Sequence, residues 1–210
     1  MSIAIIGTGN MAKGLAGLFA AAGFDVVLGA RDAAKGKEVA NAIGAKVSVS
    51  DVASAAAGSD VVVLAVPYDA AAAALSSAGD LAGKIVIDIT NPLTPDYAGL
   101  TIGHETSAAE EIQKLVPEAH VVKAFNTLFA QVLQGGGTVA GTGATVFIAG
   151  DSEGATDKVA EIAEKAGLEP LKTGGLKLAR YIEPVAGLNI ALGYGRGHGT
   201  AIAPTWAGLV

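Results

Sequence analysis

Cysteine is absent from the 210 residues, which removes disulfide frameworks, thiolate nucleophiles and Cys-ligated zinc or iron–sulfur sites. Histidine is scarce: His104, His120 and His198 lie far apart in the chain, so a His-built metal site is not expected. Aromatic residues make up 5% and charged residues 16%, the latter well under the ~25% of ordinary globular proteins. Basic residues (14) are outnumbered by acidic ones (20), and the net charge of −6 argues against a nucleic-acid partner. No long apolar run exists. The Ala-rich stretch Ala53–Leu81 is broken by Asp60, Pro67, Asp69 and Asp80, so no membrane span is expected. The start, Met-Ser-Ile-Ala-Ile-Ile-Gly, has no basic segment and too short an apolar run for a signal peptide, and a cytoplasmic location is expected.

Glycine is what the chain has in excess: 29 residues, about twice the usual share of roughly 7%. They follow no three-residue period, which excludes collagen, and a hydrophobic content of 51% excludes disorder. The length suits one domain with an appendage. Residues 165–210 carry Lys165, Lys172, Lys177, Arg180 and Arg196 against Glu169 and Glu183, a local +3, leaving −9 on the first 164. That bias is either a solvated helix face or a surface turned toward an anionic ligand.

Apolar runs of strand length alternate with helical patterns, predicting a mostly parallel α/β sheet, doubly wound, with helices on both faces. Strands are expected at Ser2–Ile6, Asp25–Gly29, Asp60–Val66, Lys84–Ile89, His120–Ala124 and Thr145–Ala149, with weaker signals near Val47 and at Leu168–Lys172. Helices are expected at Met11–Ala22, Ala33–Ile43, Asp69–Ser77, Ser107–Leu115 and Glu153–Ala166. Gly23, Gly44 and Gly167 sit where helices should stop. Gly135–Gly143 reads as the most flexible stretch. A last helix, Leu176–Leu192, is apolar nearly all round, which predicts burial on several sides and a homodimer interface. Residues 1–150 are read as a dinucleotide domain and 151–210 as a small C-terminal α/β domain that completes a cleft.

The turn Gly7-Thr8-Gly9-Asn10-Met11-Ala12 matches G-x-G-x-x-A between an apolar strand and an amphipathic helix. Gly7 permits the tight turn, Gly9 lets a pyrophosphate approach the backbone, and Ala12 with Gly14 lets the helix pack close to the sheet. The phosphates would sit on unpaired N–H groups at the helix start. The second strand ends Leu28-Gly29-Ala30-Arg31-Asp32, with Lys35 beyond. An acidic residue there selects NAD; a small Ala30 followed by Arg31 and Lys35 suits the 2′-phosphate of NADP(H). Asp32 is the competing feature, since a small shift would aim it at the ribose.

Ligands of open α/β sheets lie at the carboxyl ends of strands. Those ends carry Val66-Pro67-Tyr68, Asn91-Pro92 and Asn126-Thr127-Leu128, which offer neutral hydrogen bonds. No catalytic triad, carboxylate pair or Tyr-x-x-x-Lys set is present. Tyr68 and Tyr181 are the available proton donors, with packing as their competing role. His104 and His120 suit surface or structural positions. No catalytic residue can therefore be named. Hydride transfer between two carriers needs alignment more than proton transfer, and the chain is too short for a large closing domain.

The turn from Gly7 to Ala16, the Val27–Asp32 segment with Lys35, the run Val121-Val122-Lys123-Ala124-Phe125-Asn126-Thr127 and the late run Arg180-Tyr181-Ile182-Glu183-Pro184 through Ile190 resemble NADP oxidoreductases dependent on coenzyme F420, a deazaflavin. The resemblance implies a Rossmann domain, a small C-terminal domain, a homodimer and hydride transfer between NADP(H) and the deazaflavin in one cleft. It places Thr8, Asn10 and Met11 along the phosphates and nicotinamide side, and Ala30, Arg31 and Lys35 around the 2′-phosphate. Asn126, Thr127 and Leu128, with Val66, Pro67 and Tyr68 nearby, would line the hydride-transfer site. Two positions depart from the family: Ala30 stands where many members have Ser, and Asn126 where the best-known members have His. A related branch, the metalloreductases, uses the scaffold with a flavin. The alternatives are an NADPH-dependent reductase of a flavin, quinone, ferric chelate or small carbonyl or imine compound, and a non-enzymatic NADP(H)-binding redox sensor.

Overall fold

Val- and Ile-rich runs buried on both sides pair into one eight-stranded sheet, and the computed structural model describes residues 1–44 and 46–209. In chain order the strands are β1 (Ser2–Ile6), β2 (Asp25–Gly29), β3 (Val47–Ser50), β4 (Val61–Leu64), β5 (Ile85–Asp88), β6 (His120–Lys123), the two short strands β7 (Thr138–Val139) and β8 (Thr142–Gly143), β9 (Thr145–Gly150) and β10 (Glu169–Gly174). The order across the sheet is β3-β2-β1-β4-β5-β6-β9-β10. The first six run parallel; β9 and β10 are parallel to each other but antiparallel to β6. All the expected strands form, within a residue or two at their ends.

Side chains of one strand alternate between the two faces, so each face has its own core. Ile3 and Ile5 join Val61, Val63 and Phe19 on one side, while Ala4 and Ile6 join Val62, Leu64 and Leu75 on the other. The first side is covered by α1 (Asn10–Ala21), α2 (Ala33–Ile43), α6 (Ala130–Gln134) and α7 (Glu153–Lys165). The second is covered by α3 (Val52–Ala57), α4 (Ala71–Ala78) and α5 (Ala108–Leu115). The helix before β4 in the Ala-rich stretch from Ala53 forms as α3, whereas the sequence pattern does not show α6, because a five-residue helix gives too little periodicity to detect.

Residues beyond 150 add α7 and β10 to this same sheet, then α8 (Ala179–Ile190). Ile182 of α8 packs on Phe147 and Ala149 of β9. The helix buries one stripe, Ala179, Ile182, Glu183, Ala186 and Asn189, and leaves Tyr181 (72%) and Leu188 (61%) exposed. It ends in one wide π-turn, Ala191–Gly195. Within Gly135–Gly143, β7 and β8 make a tight hairpin around Ala140 and Gly141, both at positive φ. Such a two-residue turn matches the natural twist of paired strands. No helix among the described residues is long and apolar enough to cross a membrane.

Candidate functional site

The strand order reverses between β1 and β4, and there the Gly7 turn leaves the sheet. Gly7 has φ +128°, and a Cβ on it would lie 2.3 Å from the carbonyl oxygen of Ala65, so only glycine fits. Its N–H donates to the Gly29 carbonyl at 3.1 Å, joining this turn to the end of β2. Gly9 caps α1 without any side-chain hydrogen bond, and a Cβ there would meet nothing within 4 Å. The space above Gly9 is open, and the first N–H groups of a twelve-residue helix face it without a side-chain cap.

Beside this turn, Ala30 is buried while Arg31 and Lys35 are exposed. Asp32 is already engaged: one carboxylate oxygen accepts the N–H groups of Ala34 (2.9 Å) and Lys35 (3.1 Å) as the cap of α2. The cap holds one oxygen of this carboxylate and fixes its orientation, while Oδ2 takes no part in the cap. Gly36 brings α2 close, since a Cβ there would be 2.8 Å from that of Ala30.

A cleft of about 880 Å³ opens from the start of α1 across the ends of β5 and β6 to the last turns of α8. It brings together Asn10, Met11, Asn126, Thr127 and Leu128 of the expected set. Gly7, Thr8, Gly9, Ala30, Arg31 and Lys35 continue from it along the ends of β1 and β2; Val66, Pro67 and Tyr68 follow β4, outside the cleft lining. Tyr68 sits half-buried against the core on the α4 side, and burial, then the carboxylates of Glu111, Glu183 and Asp88, push its pKa up. Tyr181 lines a separate apolar groove. Neither tyrosine is placed to deliver a proton in the cleft, and His120 opens β6 at the opposite end of that strand.

Phe125, fully buried edge-on against Phe19 at 5.7 Å, takes φ +61°. A bulky residue holds that conformation only when its surroundings enforce it, and the strain turns the chain so that Asn126 faces back toward β5. Asn91 Nδ2 donates to the Asn126 carbonyl (2.9 Å) and Asn126 Nδ2 donates to Asn91 Oδ1 (2.9 Å). A backbone carbonyl can only accept, so this pairing fixes both amides and leaves Asn126 Oδ1 free. Among the described residues, three buried side-chain oxygens lack a partner: Thr90 Oγ1, Asn126 Oδ1 and Thr127 Oγ1. Two of these residues, Asn126 and Thr127, line the cleft, and a buried polar atom without a partner calls for an explanation such as a ligand's donor.

Several cleft residues escaped the sequence reading. Asn189 of α8 donates to the Thr127 carbonyl at 3.0 Å, and Tyr194 stacks edge-on against Phe129 at 5.4 Å. Asp96 lines the rim, where the Thr94 hydroxyl and the Ala98 N–H hold its pKa down, so it stays ionised and is a poor acid. Behind the wall lies a wholly buried ionic cluster of Lys123, Asp88 and Glu183. A lysine inside the apolar run Val121–Phe125 was the available signal. The positive bias of residues 165–210 is largely internal: Lys172 pairs with Asp157, Arg180 with Glu110, and Lys165 lies over the Phe24 ring.

Against known proteins, a sequence model described as NADP oxidoreductase, coenzyme F420-dependent, matches residues 2–92. The F420-dependent NADP reductase of Methanothermobacter thermautotrophicus is 35% identical over 208 residues, covering 91% of this chain and 89% of that protein. The metalloreductase STEAP3 of Rattus norvegicus is 33% identical over 87% of this chain, which spans only 36% of that longer protein. Among solved structures, a candidate F420-dependent NADP reductase from Arthrobacter sp. FB24 superposes with a TM-score of 0.86 at 31% identity, covering 96% of this chain and 99% of that one.

Proposed function

Since the chain belongs to the coenzyme F420-dependent NADP oxidoreductase family and is thereby an NADP-dependent oxidoreductase, we propose that it passes a hydride between NADP(H) and a flat carrier of the deazaflavin type, coenzyme F420. The observation that carries this reading is that Asn126 and Thr127, each with a buried, unpartnered side-chain oxygen, belong to the lining of a cleft that lacks a well-placed acid. They suit the carboxamide of a nicotinamide, whose NH₂ needs acceptors. NADP(H) supplies the hydride chemistry at its ring. The chain's part is alignment: the N–H groups that begin α1 would take the pyrophosphate, and Arg31 with Lys35 the 2′-phosphate. Asp32 is oriented by its role as the cap of α2, which ties one of its oxygens to the helix rather than to a ribose. Asn126, Thr127 and Leu128 would hold the ring, and the wall from Phe129 to Tyr194 would receive the second carrier.

The side chains Tyr181, Leu188, Leu192, Tyr194, Trp206 and Leu209 leave apolar surface exposed, with Tyr181, Trp206 and Leu209 in the groove apart from the cleft. A second copy of the chain is its occupant in this reading, and sedimentation at micromolar concentration should show a dimer. The absence of Cys fits a reducing, cytoplasmic setting.

The deciding assay follows NADPH oxidation with coenzyme F420, FMN, ferric chelate and carbonyl or imine compounds in turn. Turnover with F420 well above the others is expected. Turnover with FMN or ferric chelate but not F420 would replace the carrier while keeping the cofactor. Carbonyl reduction needs a proton donor, and only Tyr97 and Tyr194 of the cleft rim could give one. Activity on carbonyls that vanishes in Tyr194→Phe would favour that second reading.

A further inference from the structure

The ionic cluster behind the cleft has no part in the chemistry above. Lys123, the last residue of β6, is fully buried, and its Nζ lies 2.8 Å from Asp88 Oδ2 and 2.9 Å from Glu183 Oε1. It also donates to the Thr90 carbonyl at 2.6 Å, while Asp88 Oδ1 accepts the Thr90 N–H at 2.8 Å. Thr90 is thus gripped through both of its peptide groups. The next residue is Asn91, whose amide fixes Asn126. On its other side Glu183 accepts the N–H groups of Ala108 (2.9 Å) and Ala109 (3.2 Å), so the positive start of α5 offsets the second carboxylate. Burial alone would lower the Lys123 pKa. Asp88 and then Glu183 outweigh it and leave it raised, so the ammonium persists.

Buried ion pairs seldom stabilise a fold more than apolar side chains filling the same space. What this cluster adds is direction, because its bonds fix a strand end, a loop and a helix relative to one another. We propose that Lys123, Asp88 and Glu183 are positioning residues, setting Thr90–Asn91 against Asn126 and holding α8 in register so that the free oxygens of Asn126 and Thr127 face the nicotinamide. The proposal rests on the reading that NADP(H) binds with its ring at Asn126.

Two ligands separate the ends of the cofactor. 2′,5′-ADP reports only the phosphate and adenine half, whereas NADPH reports both halves. In Glu183→Gln, the affinity for 2′,5′-ADP should stay within about twofold of the starting protein. NADPH affinity should fall about tenfold, the size of one lost hydrogen bond, and hydride transfer to F420 should slow at least as much. Asp88→Asn/Lys123→Met removes the pair together, leaves Glu183 on the start of α5, and should give the same split. Asn91→Ala lies downstream, so adding it to Glu183→Gln should cost little more, whereas independent effects would multiply. Equal losses for both ligands, full activity in either folded cluster variant, or multiplying effects would overturn the proposal. So would failure of both cluster variants to fold, which would make the cluster a folding element. If the starting protein binds neither ligand, it is the cofactor reading that fails.

Discussion

Arg31 and Asp32 are neighbours with opposite charges and separate tasks. Arg31 is exposed beside the Gly7 turn with no partner among the described ion pairs, whereas Asp32 closes the first turn of α2. Removing the Arg31 guanidinium should cost NADPH about 1.5–3 kcal/mol of binding, the usual worth of hydrogen bonds to a charged group, and should leave NADH nearly untouched. Titrating Arg31→Ala with both cofactors checks this; equal losses would show that Arg31 does not read the phosphate. Asp32→Ala should behave differently, lowering stability by about 1 kcal/mol through the lost cap while keeping the preference for NADPH. A swing toward NADH would mean that Asp32 acts on the cofactor rather than on its helix.

Among the helices, α1 follows the turn proposed to take the cofactor, and α6 packs against it. Gly14 is the contact: a Cβ there would lie 2.9 Å from Leu133 Cβ and 3.2 Å from the Ala130 carbonyl, both on α6. Gly14→Ala would gain about 1 kcal/mol of helix propensity but force an overpacked contact costing about 1–3 kcal/mol. The expected result is a modestly lower Tm with weakened NADPH binding, since Asn10 and Met11 move with the helix. A variant that melts higher and binds normally would show that the helices separate freely. On the other face, Arg180 of α8 holds Glu110 of α5 through two bonds of 2.8 Å. The Arg180 bond, against some opposing burial, holds the Glu110 pKa below its ordinary value. A depressed folded pKa adds stability above the unfolded value, near 4.3, and that stability fades as pH falls through the folded one. Arg180→Ala should therefore lower stability at pH 7 and do so progressively less as the medium becomes acidic. Urea melts across that range give the slope, and a constant difference would contradict the linkage.

For the molecule as a whole, the sheet and its long helices were legible because buried parallel strands are written as uninterrupted Val and Ile runs, with glycine at their ends. The turn at Gly7 was legible for a similarly local reason, its glycines falling between an apolar strand and an amphipathic helix. The reversal of β9 was not, since strand direction depends on pairing with β6 rather than on composition. Nor were the Asn91–Asn126 amide pair or the Lys123 cluster, whose members lie 35 to 95 residues apart in sequence and meet only through the sheet. The expectation that α8 would be covered on most sides holds for one stripe within a single copy, and the uncovered side is what a second copy would hide. The same reversal that was hidden has a consequence for motion. Because β9 and β10 turn back beside β6, α8 rises from the sheet itself and is bolted to it by Glu183 and Asn189. Among the described residues, the strand and α8 walls of the cleft are thus joined by hydrogen bonds and an ion pair to one sheet. Enzymes that clamp shut contract measurably on loading; here X-ray scattering of the protein with and without NADPH should give the same radius of gyration. If the slot is fixed, the proposed reaction has no opening step to wait for, and the arrival and departure of NADP(H) and its redox partner would time turnover.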